Sequence, residues 1–249
     1  MNTALDPKQV RERTEHYYSR FCNLDLQSCE PGIHFVCSPE REEELKGFGC
    51  RYSLYILARG DSFIVSYAPK HSETVERWKG LGPGELLSAA KTQFPLHEMK
   101  LFCFAGETRR EFGGARALTE ADYPLFEDFF RATQPDGDPE GWLREYFCEK
   151  AGKGYITGLV RDERLVSVCD APDMPYMEDL VQHTGIMTLP EERGKGYAAH
   201  TAALATHQLL SLGVCPQWEC ETENLGSAAV ARAIGHRDYG TAYILEEYA

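Results

Sequence analysis

The chain has 249 residues, of which 43% are hydrophobic, and it carries a formal net charge of −13. This length accommodates one large domain or two of ordinary size. The negative charge argues against nucleic acid and anionic membranes as partners, because both repel acidic proteins. No stretch approaches the roughly 18 consecutive apolar residues of a membrane span, and the polar N-terminus lacks the apolar core of a signal peptide. We therefore expect a cytoplasmic protein.

The first hundred residues predict a small α/β domain. Apolar periodicity predicts helices at residues 6–20 and 85–93, and strands at residues 34–37, 52–58, 62–67 and 99–104. A polar, glycine-rich segment at residues 106–115 follows the apolar run LFCFA. We place a boundary there, with one α/β domain at residues 1–112 and a second domain at residues 113–249.

The nine cysteines include no Cys-x-x-Cys pair. In a cytoplasmic protein we expect them to be reduced and mostly buried as small apolar residues. A zinc site formed by Cys22, Cys29, His34 and Cys37 is the alternative, but their spacing matches neither a zinc finger nor a zinc ribbon. We therefore expect no metal.

The sequence of the second domain predicts alternating strands and helices. Thr119 is a predicted helix N-cap, and Asp138 is a predicted cap of a second helix with Pro139 at its first position. After a strand at residues 116–118 and these two helices, the predicted elements are strands at residues 154–160, 164–169 and 186–189, a helix at 198–212, a strand at 216–221, a helix at 228–234, and a closing hairpin of residues 236–239 and 242–245 around Gly240.

The segment RGKGYA at residues 193–198 is the most informative motif. It joins a predicted strand to a predicted helix. Its glycines let the backbone approach an oxyanion closely, and the N–H groups of the first helical turn point at the anion. Arg193 and Lys195 add positive charge. The segment is neither a P-loop nor a dinucleotide fingerprint. It predicts an anion-binding cradle, with a plain turn between helix and strand as the alternative.

Arg193, Gly196 and Ala198 fit the spacing Arg/Gln-x-x-Gly-x-Gly/Ala, which resembles the coenzyme A pyrophosphate loop of the GNAT acyltransferase superfamily. Downstream, Asn224 and a small residue three positions later, followed by a helix that ends in glycine, also resemble that superfamily. The resemblance covers residues 115–249. It implies the α/β GNAT acyltransferase fold, a mixed, splayed central sheet flanked by helices, preceded by the smaller α/β domain. One interpretation of that smaller domain is a degenerate half of the same fold.

The same resemblance implies acetyl-CoA as the acyl donor and no metal. It assigns cofactor binding to the strand before the loop, to the loop itself and to the start of the last helix. For Asn224 a helix-capping role is the alternative, and the two roles are compatible. The cofactor-binding residues implied in this way are Met187, Thr188, Leu189, Arg193, Gly194, Lys195, Gly196, Tyr197, Ala198, Asn224 and Ser227.

At the positions that carry catalytic residues in the superfamily, this sequence matches it less closely. Many members carry a general-acid tyrosine seven positions after the asparagine, where this chain has Ala231, and Tyr239 is the candidate substitute. His183 is the candidate base, with Gln182 in its place if the strand register slips by one residue. A structural histidine at a strand edge is the alternative for His183. Glu219 is a candidate to bind a cationic amine, or it lies on a solvated face.

The predicted function is transfer of an acetyl group from acetyl-CoA to a primary amine of a small molecule, by direct attack on the thioester. Two alternatives remain open. One is an acyl-CoA-binding regulatory module with weak or no turnover, because Ala231 replaces the usual tyrosine. The other is a peptide or protein N-acetyltransferase. The expected partners are acetyl-CoA and the amine, with no nucleic acid and no membrane, and a homodimer is left open.

Overall fold

The computed structural model describes residues 4–106 and 111–248. The helices of this part are α1 (Pro7–Cys22), α2 (Ser72–Glu76), α3 (Pro83–Gln93), α4 (Tyr123–Thr133), α5 (Leu143–Gly152), α6 (Tyr197–Ser211) and α7 (Leu225–Ala233). Its strands are β1 (Gly32–Cys37), β2 (Cys50–Arg59), β3 (Ser62–Tyr67), β4 (His97–Phe104), β5 (Ala115–Ala117), β6 (Thr157–Arg161), β7 (Arg164–Asp170), β8 (Val181–His183), β9 (Gly185–Thr188), β10 (Cys215–Glu221) and β11 (His236–Tyr248). Within these ranges no helix is both long and apolar enough to cross a membrane.

Helix α1 confirms the helix predicted at residues 6–20. Asp6 and Gln9 form a capping box, and Pro7 occupies the first helical position, where a missing N–H costs nothing. The helix ends at Asn23, which adopts a left-handed conformation with φ of 50°, as asparagine often does at such positions. One face of α1 is buried against the large sheet and carries a series of aromatic rings: Tyr17, Tyr18 and Phe21.

The strands form two sheets. Their orders are β1-β3-β2-β11-β4-β10-β8 and β5-β6-β7-β9. Strands β8 and β9 are separated only by Thr184, yet β8 pairs in parallel with β10, whereas β9 pairs antiparallel with β7. The two sheets therefore splay apart at Thr184. The predicted mixed, splayed sheet flanked by helices is confirmed.

Strand β4, which precedes the predicted domain boundary, pairs with strands that follow it. It pairs antiparallel with both β10 and β11, and β11 pairs on its other side with β2. One hydrophobic cluster also joins residues of α1 to Val181 and Cys215. The large sheet is thus built from both sides of residue 112. The division into residues 1–112 and 113–249 stays a prediction, and part of the boundary segment, residues 107–110, lies outside the described residues.

The closing hairpin predicted around Gly240 is wrong. Residues 236–248 form the single strand β11, which has a bulge between Asp238 and Gly240 where it pairs with β4. A Cβ on Gly240 would lie 2.8 Å from the carbonyl oxygen of Ala58. Glycine is therefore required for the close approach of β2 at this bulge. Strand β4 occupies the place beside β11 that the second arm of a hairpin would have filled.

The helix predicted from Asp138 begins instead at Leu143. Asp138 accepts a hydrogen bond on Oδ1 from the backbone N–H of Glu140 at 2.9 Å, which closes a local turn rather than a helical cap. Gly141 follows with φ of 80°, a conformation that a right-handed helix does not contain. Phe147 of the observed helix packs against α4 in a buried cluster.

His236 is a buried histidine with no polar partner. Its side chain is fully buried and packs between Phe104 and Trp218, with ring centroids at 5.4 Å and 5.8 Å. Neither ring nitrogen has a hydrogen-bond partner. Burial lowers the pKa of His236 to about 3, because a charged imidazolium is costly in an apolar environment.

We expect His236 to destabilise the fold in acid. Below pH ~6.5 the unfolded chain protonates this histidine but the folded chain does not, so stability falls as the pH drops from ~6.5 towards 3. Between pH 7 and pH 5 the free energy of unfolding should fall ~2 kcal/mol more for the native chain than for His236→Phe. Urea denaturation at both pH values measures this difference. An equal loss in both proteins would contradict it.

Candidate functional site

Two glycines form the turn in the loop between β9 and α6. Gly194 has φ of 79°, and Gly196, the N-cap of α6, has φ of 83°. These values favour glycine, because other residues pay a steric cost there. The N–H groups of Tyr197 and Ala198 lie in the first helical turn, where no helical acceptor precedes them. The loop therefore presents backbone donors at the positive end of a 15-residue helix.

Strand β9 has a free edge that faces the gap between the sheets. Its last link to β10 is Thr184, whose N and Oγ1 donate to the carbonyl oxygen of Gln217 at 3.1 and 3.0 Å. On the other edge the N–H of Leu189 donates to β7. Backbone groups alternate in direction along an antiparallel strand. Ile186 and Thr188 therefore direct their backbone polar groups into the gap.

A cleft of about 740 Å³ lies between β9, the glycine loop, α6 and α7, within the range of small-molecule sites. The cofactor-binding residues predicted from the sequence that line it are Met187, Thr188, Arg193, Gly194, Gly196, Tyr197, Ala198, Asn224 and Ser227. Residues that line it but were missed are Ile186, Glu192, Ala199, Gly226, Ala229, Val230 and Ala233. The small residues of α7 recur at helical spacing, and this pattern is the signal that marks them.

Leu189 and Lys195 are not among the residues that line the cleft. Leu189 is buried in the cluster beneath α4 and α5. Lys195 pairs with Glu192 at 2.7 Å, and the hydrogen bond to Glu192 raises the pKa of Lys195. Arg193 donates from Nε to the carbonyl oxygen of Thr188 at 3.3 Å. Of the two basic residues in the motif, Arg193 is therefore the one that lies against the cleft.

Asn224 caps helix α7. Its Oδ1 accepts a hydrogen bond from the N–H of Ser227 at 3.0 Å, and Ser227 in turn accepts one on Oγ from the indole of Trp218 at 3.0 Å. The capping role left open for Asn224 is therefore present, and the residue lines the cleft as well. Ala231, at the usual tyrosine position, is fully buried in the cluster beneath α6 and α7.

His183 and Glu219 meet beneath α1. The Nε2 atom of His183 lies 3.3 Å from Oε1 of Glu219, and each side chain is 18% exposed. Tyr18 donates its hydroxyl to the same oxygen of Glu219 at 2.8 Å. The hydroxyl of Tyr17 lies 3.4 Å from Nε2 of His183. Histidine, carboxylate and two phenols thus form one hydrogen-bonded group.

The electrostatics of this group favour a charged carboxylate. Burial raises the pKa of Glu219, but the charge of His183 and the hydrogen bonds from His183 and Tyr18 outweigh burial, so the pKa lies below its usual value. Burial, reinforced by the negative charge of Glu219, raises the pKa of Tyr17 and Tyr18 well above the usual value. Both phenols therefore remain protonated donors at neutral pH.

The pair lies on the face of the sheet opposite α6. Trp218 and Cys220, the neighbours of Glu219, pack in the cluster beneath α6 and α7, and successive strand residues point to opposite faces. His183 is paired with Gln217 at the end of β8, immediately before the sheets part. In this register the side chain of His183, and not that of Gln182, contacts Glu219.

Tyr239 lies behind Tyr18 rather than on the cleft. The two rings stack with centroids 5.0 Å apart, and the guanidinium of Arg59 lies 4.7 Å from the ring centroid of Tyr239. The hydroxyl of Tyr239 is buried without a hydrogen-bond partner, and burial raises its pKa. The structure thus brings His183 and Glu219 together and links Tyr239 to them through Tyr18. A general-acid role for Tyr239 stays a prediction.

Residues from the first half of the chain cover this side of the site. Lys46 forms an ion pair of 2.5 Å with Glu178. The buried Arg41 donates to the hydroxyl of Tyr176 at 3.5 Å and to the carbonyl oxygen of Tyr52 at 3.3 Å. Residues 176 and 178 belong to the connection between β7 and β8. The segment after β1 therefore closes onto that connection.

Metal ligands do not cluster in the described part of the chain. Within residues 4–106 and 111–248 no group of three or more His, Cys, Asp or Glu side chains is arranged to hold an ion. Of the four residues considered for zinc, Cys22 is buried in the aromatic cluster, and Cys37 lies 3.8 Å from the hydroxyl of Ser72. His34 contacts the carbonyl oxygen of Glu30 at 2.7 Å.

Residues 119–236 match the model of the Acetyltransferase (GNAT) family. The chain carries a GNAT acetyltransferase domain. The match runs from the predicted N-cap at Thr119 to the start of β11, and it includes the glycine loop, α6 and α7. The resemblance inferred from the two sequence motifs is thereby confirmed. The cleft beside β9 is thus the candidate acetyl-CoA site of the GNAT domain.

Solved GNAT structures are similar to parts of this chain at low sequence identity. A GNAT-family acetyltransferase from Colwellia psychrerythraea is 15% identical with a TM-score of 0.49, over 59% of this chain and 55% of its own. A GCN5-related N-acetyltransferase from Kribbella flavida is 18% identical with a TM-score of 0.43, over 68% and 65%. A GCN5-related N-acetyltransferase-like protein from Streptococcus suis 89/1591 is 15% identical with a TM-score of 0.42, over 77% and 83%. This chain thus spans about half the length of the Colwellia protein. No curated protein matches the sequence.

Proposed function

We propose that this chain transfers an acetyl group from acetyl-CoA to a primary amine of a small molecule. The observation that carries the proposal is the position of the His183–Glu219 pair, which lies where β8 leaves β10 and the cleft between the sheets closes. Cofactor and acceptor thus have separate approaches to one point. The cofactor would enter from the α6 side, and the amine from the α1 side.

On the cofactor side, the pyrophosphate would bind the amides of residues 194–198 and the guanidinium of Arg193. A helix N-terminus with left-handed glycines suits such an anion. The pantetheine arm would run along β9 and bond the backbone groups of Ile186 and Thr188 that face the gap, with Asn224 on the opposite wall. The thioester would then reach Thr184, where the gap ends.

On the acceptor side, the amine must be neutral before it attacks the thioester carbon. His183 would take the proton that the amine nitrogen loses as it attacks, and Glu219 would orient the imidazole and stabilise the imidazolium that forms. The C–N bond then forms and the C–S bond breaks. The leaving thiolate has an intrinsic pKa of roughly 8.5, so it departs readily and afterwards accepts a proton. A general acid contributes less here than in reactions with a poorer leaving group.

The cover over the acceptor side favours a small acceptor. Helix α1 places Tyr17 and Tyr18 against the His183–Glu219 pair, and the Lys46–Glu178 ion pair fastens the segment after β1 to the β7–β8 connection. A peptide substrate needs an open groove, and these contacts would narrow that side of the site. The carboxylate of Glu219 favours a cationic amine.

The proposal is tested by supplying acetyl-CoA with a panel of small primary amines: an alkyl diamine, an aryl ethylamine and an α-amino acid. A lysine-containing peptide serves as the comparison. We expect CoA release with at least one small amine, at a kcat/KM at least about tenfold above that of the peptide. A preference for the peptide would indicate a protein acetyltransferase. Binding of acetyl-CoA without release by any acceptor would indicate a binding module.

A further inference from the structure

Asp170 is a half-buried carboxylic acid at the point where the sheets part. It is the last residue of β7 and is paired with Gly185, the first residue of β9. A Cβ built on Gly185 would overlap the Oδ1 atom of Asp170. The carboxyl group therefore occupies the space left by the missing side chain, directly over the backbone that follows Thr184. Glycine at position 185 is what makes this placement possible.

Asp170 lies on the same side of the sheets as the His183–Glu219 pair. Its Oδ2 atom accepts a hydrogen bond from the hydroxyl of Tyr146 on α5 at 3.5 Å. Its neighbour Cys169 packs in the opposite cluster, beneath α6. Because strand side chains alternate between faces, Asp170 points away from α6. Two carboxylates, those of Asp170 and Glu219, thus flank the bend at Thr184 on the acceptor side.

The charge of Asp170 is balanced only weakly, by the nearby Lys150. Among the described residues it forms no ion pair, because the nearby Lys150 of α5 pairs with Asp173 at 2.8 Å. Burial raises the pKa of Asp170 to about 6, against the smaller opposing effect of the hydrogen bond from Tyr146. A half-buried carboxylate that forms no ion pair favours a cation that enters the site.

We propose that Asp170 binds the ammonium group of the acceptor and removes its first proton, which makes Asp170 a second catalytic residue beside His183. The inference rests on the proposed acetyl transfer. It also specifies the substrate class: a primary amine that arrives as an alkylammonium ion, recognised by charge at the bend of β8 and β9.

Asp170 and His183 each remove one proton from the acceptor nitrogen. Asp170 takes one proton from R–NH3⁺ and yields R–NH2. The amine nitrogen attacks the thioester carbon, the C–N bond forms, and His183 takes the second proton. The C–S bond breaks, and the thiolate receives that proton from His183. Asp170 then releases its proton to solvent. The products are R–NH–CO–CH3, CoA–SH and one H⁺.

The experiment measures kcat/KM against pH with the best acceptor of the amine panel. For Asp170→Asn we expect a loss of about 10²-fold or more at pH 7.5, disappearance of the acidic limb centred near the pKa of Asp170, and an acetyl-CoA Kd within about twofold of the native value. Asp179→Asn, on the same connection and exposed, is the matched control and should stay within about threefold.

Tyr146→Phe keeps the test decisive if Asp170→Asn does not fold. Loss of the Tyr146 hydroxyl removes a bond that stabilises the carboxylate, so the acidic limb should move to higher pH. The other charged groups near Asp170, Lys150 and Asp173, are unchanged in this variant. An acidic limb that does not move in Tyr146→Phe would contradict the role of Asp170 but not the proposed acetyl transfer. Full activity of Asp170→Asn, measured beside an active native enzyme, would do the same. A native chain without turnover overturns the proposed function as well.

Discussion

Replacement of Gly196 by Glu is expected to lower the affinity for acetyl-CoA at least about 100-fold, equivalent to ~2.7 kcal/mol. Two effects act together. The residue has φ of 83°, which costs a residue with a Cβ about 1 kcal/mol or more. The new carboxylate would also lie where the structure offers backbone donors to a diphosphate, and like charges repel strongly there.

Calorimetric titration of both proteins with acetyl-CoA measures the difference. Gly60→Glu is the matched control, because Gly60 also has a positive φ, of 53°, and a Cβ there meets nothing within 4 Å. It adds the same charge and the same backbone strain at the turn between β2 and β3, away from the cleft. Equal affinity of Gly196→Glu and Gly60→Glu would mean that the loop is a turn without a cofactor role.

Replacement of Glu219 by Gln is expected to lower kcat about 10²-fold and to leave the Kd of acetyl-CoA unchanged. The amide still accepts the hydrogen bond from Tyr18, so the local packing is kept. What is lost is the negative charge 3.3 Å from the imidazole of His183, which stabilises the imidazolium formed when the amine loses its proton. His183→Gln should give a loss of similar size.

Single-turnover and steady-state kinetics separate this effect from one on cofactor binding. Glu221→Gln is the control, because Glu221 lies two residues further along the same strand and is exposed. It should change kcat less than about threefold. A kcat for Glu219→Gln equal to that of Glu221→Gln would mean that the His183–Glu219 pair only supports the packing of α1.

Local patterns predicted most elements of the fold but not all of the strand partners. The N-terminal strands were recognisable from apolar runs, whereas the insertion of β4 between β10 and β11 was not. Such pairing joins residues more than a hundred positions apart, and its register depends on packing that no local pattern records. Gly240 shows the consequence, because a glycine between two short apolar runs suggests a turn until β2 and β4 are placed beside it.

Part of the candidate site was likewise predicted from the local sequence, and part was not. The loop at residues 193–198 is a local motif, so its conformation and its place at the start of α6 followed from spacing. The His183–Glu219 contact depends on the register of β8 against β10, which the sequence left open by one residue. Asp170 was not predicted as a catalytic residue, because an aspartate before Ala-Pro at a strand end is typical of a turn. Its pairing with Gly185 appears only in the folded sheet.

The most direct test of acetyl transfer is the stoichiometry of the native reaction. Native chain, acetyl-CoA and the best small amine are incubated together, and free CoA and N-acetylated amine are measured by mass spectrometry over time. We expect both products to appear in equal amounts, and CoA release to fall to the background rate when the amine is omitted. CoA release that is independent of the amine, or no release in the presence of bound acetyl-CoA, would contradict the proposed transferase.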